Sequence, residues 1–390
     1  MTASANGTTI PSASSITDNG GGVWTVSSGT VLLNGSDAGF TEDVILLLWW
    51  NGTIYQENIN DDWWSWTAGN WVSFPVDPRK TFYGVNLHPG LAIYQSLGTG
   101  PVVTFMQELG VTVGRMDCYA PTDNTIMATW CEALFNGGLV GLPILIAAPV
   151  PGDETTSYNN GYALGQAIAT ACAPYTAFYE LSNEPDAYCG WTGDGLQPQC
   201  YPEDEWLAVR GTMRGAHDGV LSVQPNAVLV WAGQVELCEG FTNGMTTGVD
   251  PDGNTGGPIV SANTITWHWY QSSGNIENTG SSGTAAPCGS PTGGLNMLAF
   301  ASSFGLPVWL TEIGNTAGDT QAQQKTYLDA AMAEYYAGAS TYNLQNITWY
   351  ELICVSEDGG TYGLVAENGT TKRSAFNALK TFITDNPSPL

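Results

Sequence analysis

The sequence has little positive charge. Nine Lys and Arg stand against 36 Asp and Glu in 390 residues, a formal net charge of −27. Neutralising phosphates requires Lys and Arg, so a nucleic-acid partner is excluded. Anionic lipid surfaces are disfavoured for the same reason. No apolar run approaches the ~18 residues of a membrane-spanning helix, and Val44–Trp50 is a buried strand at most, so no membrane association is expected. The opening MTASANGTTIPSASS lacks a basic n-region and an apolar h-region, and reads as a mature start behind an initiator Met. HExxH, P-loop, dinucleotide-fingerprint and GxSxG patterns are missing. So is any CxxC, which sets aside zinc-ribbon and thioredoxin-like chemistry.

What the chain does contain is aromatic and small. It has 48 Gly, 15 Trp and 17 Tyr, and only 12% of its residues are charged, so Ser, Thr, Asn and Gly must cover much of the surface. The acidic excess suits acidic surroundings, where fewer carboxylates are ionised and self-repulsion falls; plain solubility is the alternative. Eight Cys, an even number in a Lys-poor chain, favour an oxidising compartment and a secreted, extracellular protein. Cys189 and Cys200 bracket a loop and are the first expected disulfide; Cys238 with Cys288 is the second.

Residues 1–78 read as an all-β module with a linker at 75–80. Asn34-Gly35 and Asn51-Gly52 each follow a β-rich run, and Asn-Gly supplies the two positive φ values of a type I′ hairpin turn. Trp63, Trp64, Trp66 and Trp71 are a sugar platform or, the favoured reading, mostly the core that so small a module needs. From residue 79 to 390, short β-branched or aromatic strands alternate with helical stretches, the rhythm of βαβ units and a parallel sheet. Strands are expected near 82–87, 111–118, 143–148, 177–182, 227–232, 265–269, 308–311 and 347–352, with helices at 321–337 (stopped by Gly338) and 372–384. The fold class is therefore α/β, a (β/α)8 barrel preceded by a small all-β module. The active site of such a barrel lies at the C-terminal ends of its strands.

Two carboxylates stand at such ends. The fourth strand, AFYELSNEPD, ends in Asn183-Glu184; the seventh, PVWLTEIG, ends in Glu312. NEP after strand four and TEIG after strand seven, in register with the eight-strand pattern, resemble the signatures of clan A retaining glycoside hydrolases, family 39-like or family 5-like. The likeness runs over roughly residues 81–390. It implies that Glu184 is the acid/base, with its pKa raised by a neighbouring carboxylate, and that Glu312 is the nucleophile.

The resemblance assigns further residues. Asn183 would bind the sugar 2-hydroxyl. Arg115, in GRMDCY, would hold the nucleophile ionised, unless it only pairs with Asp117. His88 closes strand one in GVNLH and reaches the rim. In TWHWY, Tyr270 would touch the nucleophile and His268 the substrate. Trp349 would floor the sugar being cleaved, or else pack in the core, and Glu351, two residues on, would share its face. The expected function is a secreted, monomeric enzyme that hydrolyses a β-linked polysaccharide with retention, with a polysaccharide or oligosaccharide as its only partner and no metal or organic cofactor. A non-catalytic carbohydrate-binding protein and a transglycosylase are the alternatives.

Overall fold

The structure is a computed structural model that describes residues 2–390 apart from 51, 68, 75–76, 236–237, 280–293 and 357–358. The chain forms two compact units. The first ends at Thr81 and the second runs Phe82–Pro389.

The first unit is all-β, with one antiparallel sheet of five strands and one of four. Asn34-Gly35 acts as a hairpin turn; Asn51 lies outside the described residues. Leu33 faces Ser36 across Asn34 and Gly35, whose φ values are 53° and 82°. Trp50 faces Thr53. The core gathers Ile16, Trp24, Val31, Leu47, Trp49 and Ile54, with Trp66 and Trp71 packed against it. Trp24 meets Trp66 and Trp71 edge to face at 5.2 and 6.2 Å, an arrangement the ring quadrupole favours. Trp63 is buried as well, and Arg79 lies over its ring. The aromatic run thus supplies core, as favoured.

The second unit is a (β/α)8 barrel. Its strands are Tyr83–Leu87 (β1), Val113–Cys118 (β2), Val140–Leu145 (β3), Phe178–Glu180 (β4), Val228–Val230 (β5), Ile265–Tyr270 (β6), Val308–Gly314 (β7) and Leu344–Trp349 (β8). Their order in the sheet is 5-4-3-2-1-8-7-6, every ladder parallel. β5 and β6 close the ring through the Val235↔His268 bridge and a hydrogen bond from Thr266 Oγ1 to Trp231 O. The main helices after each strand are Thr99–Leu109 (α1), Asn124–Asn136 (α2), Glu154–Cys172 (α3), Glu203–Leu221 (α4), Glu239–Thr247 (α5), Met297–Ser302 (α6), Gln321–Tyr342 (α7) and Ser374–Asp385 (α8). No described helix is long and apolar enough to cross a membrane.

Three local differences from the sequence expectation have physical reasons. β3 starts three residues early. A Cβ at Gly141 would meet Cys131 Sγ at 2.9 Å, so the glycine lets α2 lie close. β8 also starts early, because Asn346 and Thr348 are fully buried and bond to each other at 2.7 Å instead of facing water. α7 runs through Gly338 and stops at Asn343, which adopts the left-handed conformation. The expected Cys189–Cys200 disulfide does not form: Cys189 carries a free, buried thiol. Cys288, half of the second expected pair, lies outside the described residues.

Candidate active site

Alternation along the barrel strands sends every second side chain inward. In β1 and β2 this brings Asn86 and Arg115 into register as neighbours. Arg115 is 1% exposed and uses its whole guanidinium. Nε and Nη2 donate to the two oxygens of Glu180 at 2.5 and 3.0 Å. Nη1 donates to Asn86 Oδ1 at 2.8 Å and to Glu312 Oε1 at 2.5 Å. Nη2 also reaches Asn183 Oδ1 at 2.8 Å. Burial opposes the cation, but Glu180 and Glu312 outweigh it and raise its pKa. Arg115 therefore pairs with Glu180 and Glu312, not Asp117.

Glu180 itself is fully buried. A buried carboxylate is tolerable only when its lone pairs are filled, and here Arg115, the Gly233 amide (3.0 Å) and Thr311 Oγ1 (3.2 Å) fill them. Glu180 and Asn86 escaped the sequence reading. The available signal was a polar side chain in the middle of an apolar strand, at the same period-two positions as the catalytic candidates.

Glu184 sits just past β4 with φ 43° and ψ 49°. A non-glycine residue held there costs on the order of 1–3 kcal/mol, and such strain clusters at functional positions. The Glu184 N–H donates to Gly233 O at 3.0 Å, which fixes the strained turn. Glu312, on β7 across the barrel, is 6% exposed. Its Oε2 accepts from the Tyr270 hydroxyl at 2.6 Å, the contact expected of that tyrosine.

His268 stands between the two carboxylates. Its Nδ1 is 3.0 Å from Glu184 Oε1 and 3.5 Å from Glu312 Oε2, and one ligand atom from each of the three residues lies within 4.8 Å of the others. Its side chain is 0% exposed and bridges the pair. Burial works against its cation, yet Glu312 and Glu184 raise its pKa. Burial would push Glu184 up, but the hydrogen bond and charge of His268, with Arg115, bring it below its ordinary value. The expected direction is thus reversed: Glu184 is lowered, not raised, and His268 is raised. Gly233 makes room for this: a Cβ there would lie 1.9 Å from His268 Nε2. The same trio has metal-ligating atom types, but both Glu312 oxygens are already taken by Arg115 and Tyr270, and the adjacent guanidinium repels a cation.

The site opens into a cleft of about 850 Å³ lined by His88, Asp117, Tyr119, Asn183, Glu184, Tyr270, Glu312, Tyr350 and Tyr362, among others. Because Asn183 gives its oxygen to Arg115, its NH2 remains to donate into the cleft. His88 lines the cleft, but its nitrogens face Asp117 Oδ2 at 2.6 Å and Glu351 Oε2 at 3.3 Å. Burial opposes its cation, and the two carboxylates outweigh it, pushing its pKa up to about 10. Two placements differ from expectation. Trp349 is 1% exposed and packs toward Tyr327 on α7, outside the cleft; Tyr119, Tyr270, Tyr350 and Tyr362 are the aromatics among its lining residues. Glu351 is fully buried behind His88, because β8 ends at Trp349 and the alternation stops there. Asp186, just past Glu184, is buried too and accepts from the Val235 amide at 2.9 Å.

No family model matches this sequence, and no curated protein does. Solved structures do. Gas2p of Saccharomyces cerevisiae aligns with a TM-score of 0.52 at 14% identity, over 84% of this chain and 63% of that one. A glucosidase from Croceicoccus marinus aligns at 0.51 and 13%, over 78% and 67%. Gas2p has also been solved with laminaritetraose and laminaripentaose, at 0.50 and 13%, over 84% and 66%. The likeness is one of fold. These structures share with the chain the barrel that positions Glu184 and Glu312.

Proposed function

We propose that the chain is a secreted, retaining glycoside hydrolase that cleaves β-linkages in a glucan or microbial exopolysaccharide by double displacement, endo-acting along the polymer. The single observation that carries this reading is the pair of carboxylates, from opposite sides of the barrel, with oxygens within 4.8 Å of one another. A retaining pair stands about 5–5.5 Å apart, whereas an inverting pair leaves about 6.5–9.5 Å for a water.

The residues divide the work accordingly. Glu312, held by Arg115 and Tyr270, attacks the anomeric carbon. Glu184 takes up a proton by way of its contact with His268 and passes it to the departing oxygen. In the glycosyl-enzyme Glu312 carries no charge. Glu184 then takes a proton from the incoming water, and microscopic reversibility returns Glu312 to its ionised state. Asn183 donates to the sugar 2-hydroxyl, a bond that strengthens in the oxocarbenium-like transition state.

The test is reducing-sugar release at pH 4 to 6 from laminarin, other β-glucans, xylan, mannan, galactan and bacterial exopolysaccharides, with wild type beside Glu184→Gln and Glu312→Gln. Laminarin heads the panel because of the oligosaccharides solved with Gas2p. Activity on one polymer, lost in both variants, is the expected result. Binding to a glycan without release of sugar from any polymer would overturn it in favour of a carbohydrate-binding protein.

A further inference from the structure

The cleft extends well past the two carboxylates, along the loops that follow β1 and β2. Neither loop has a part in the double displacement. Two side chains at the end of β2 stand out. Tyr119 is 62% exposed, although large aromatic side chains are normally covered. Tyr119 nevertheless lines the cleft, and its backbone is held in place. Asp123 Oδ2 accepts from the amides of Tyr119 at 2.7 Å and Ala120 at 2.9 Å, while Pro121 opens the short 3-10 turn between them. A ring presented to solvent on an immobilised turn loses little entropy when a ligand covers it.

Asp117, two residues earlier, lines the same cleft. His88 takes its Oδ2 at 2.6 Å, and its Oδ1 carries no hydrogen bond among the described residues. Glu351 backs His88 from the other side at 3.3 Å. The Glu351–His88–Asp117 row is thus a buried strut that ends in one carboxylate oxygen facing the cleft. An apolar platform beside a rigid acceptor fits a pyranose: the ring covers its C–H face and the carboxylate takes a hydroxyl.

We propose that Tyr119 and Asp117 form a glycone subsite that takes an uncharged pyranoside of the substrate chain. The assignment to the glycone side rests on the hydrolase reading, because Glu312 and Asn183, which would hold the sugar being cleaved, line this same cavity. The charge of the cleft defines the sugar class. Asp117, Asp123, Glu184 and Glu312 line it, and His88 is the one basic residue among the described lining residues. Between low-dielectric walls that field repels carboxylated or sulfated sugars.

The test is calorimetric binding of pentasaccharides to the full chain carrying Glu184→Gln, which prevents turnover. Laminari-, cello-, xylo- and mannopentaose are the neutral probes and pentagalacturonate is the anionic one. At least one neutral probe should bind, and adding Tyr119→Ala should weaken it about tenfold, while Tyr119→Phe keeps the affinity because the ring remains. Asp117→Asn should weaken it several-fold. An affinity within twofold of the parent in Tyr119→Ala, preference for pentagalacturonate, or no binding by any neutral probe would overturn the subsite. Hydrolysis is measured separately on the wild-type chain. If binding falls in Tyr119→Ala but the wild type cleaves nothing, the subsite stands and the hydrolase reading falls. If the wild type cleaves a pentasaccharide that Tyr119→Ala binds equally well, the reverse holds.

Discussion

His268 Nδ1, on β6, lies 3.0 Å from Glu184 Oε1, just past β4, with β5 between the two strands around the ring. The two groups are in hydrogen-bond contact, and titrations of groups so close belong to the pair and not to either residue. Glu184 is lowered and His268 raised, so the pair is expected to hold a proton to higher pH than Glu184 would alone. In His268→Gln the proton must stay on Glu184 alone. The alkaline limb of kcat/KM should then move at least one pH unit toward acid, and kcat should fall about 10²-fold, as is usual when acid–base assistance is impaired. A pH–rate profile on the cleaved polymer checks both.

Gly233 is the position whose substitution should harm catalysis most for its size. A Cβ there would fall 1.9 Å from His268 Nε2, while the Gly233 amide holds Glu180 and its carbonyl holds the Glu184 backbone. Gly233→Ala should cost about 10²-fold in kcat, since small misplacements at a reacting centre are that costly. In a His268→Gln background, where the ring is gone, the same substitution should cost far less. A double-mutant cycle on kcat measures the coupling.

Glu180→Gln addresses the strut beneath Glu312. It removes the bidentate partner of a fully buried guanidinium, and breaking such a pair costs about 3–5 kcal/mol. A urea titration should show that loss, and kcat should fall because Arg115 also positions Glu312.

Stability should depend on pH in a direction set by buried carboxyls. Burial pushes Asp186 up to about 7, and burial with nearby Asp194 pushes Glu239 up to about 7. Both folded values exceed the unfolded ones of about 4, so the folded state holds these protons more tightly. The stability they add is full below about pH 4 and is lost as pH rises toward 7. For Asp186, which is fully buried, it amounts to on the order of 4 kcal/mol. Asp186→Asn should therefore gain melting temperature relative to wild type between pH 4 and pH 8. An equal difference at both pH values would contradict this.

The barrel and its two key carboxylates were legible because each motif closes a strand whose alternation and spacing match the fold. The contact of Tyr270 with Glu312 followed from the resemblance carried by TWHWY. Glu351 was misplaced by period two, because alternation holds only inside a strand and β8 ends at Trp349; Trp349 was placed in the cleft by the resemblance, whereas its ring packs against α7. Glu180 and Asn86 stayed hidden because their importance lies in Arg115, and the register that joins them is set by strand stagger around the ring. The lowering of Glu184 was equally out of reach, since it comes from an imidazole on β6 that no local pattern links to NEP.

The most direct test of the central claim is the anomeric configuration of the first product, followed by proton NMR during hydrolysis of whichever polymer the panel identifies. Double displacement through Glu312 predicts that the β anomer forms first and then mutarotates. The α anomer appearing first would mean a single inversion, and would contradict a nucleophilic role for Glu312.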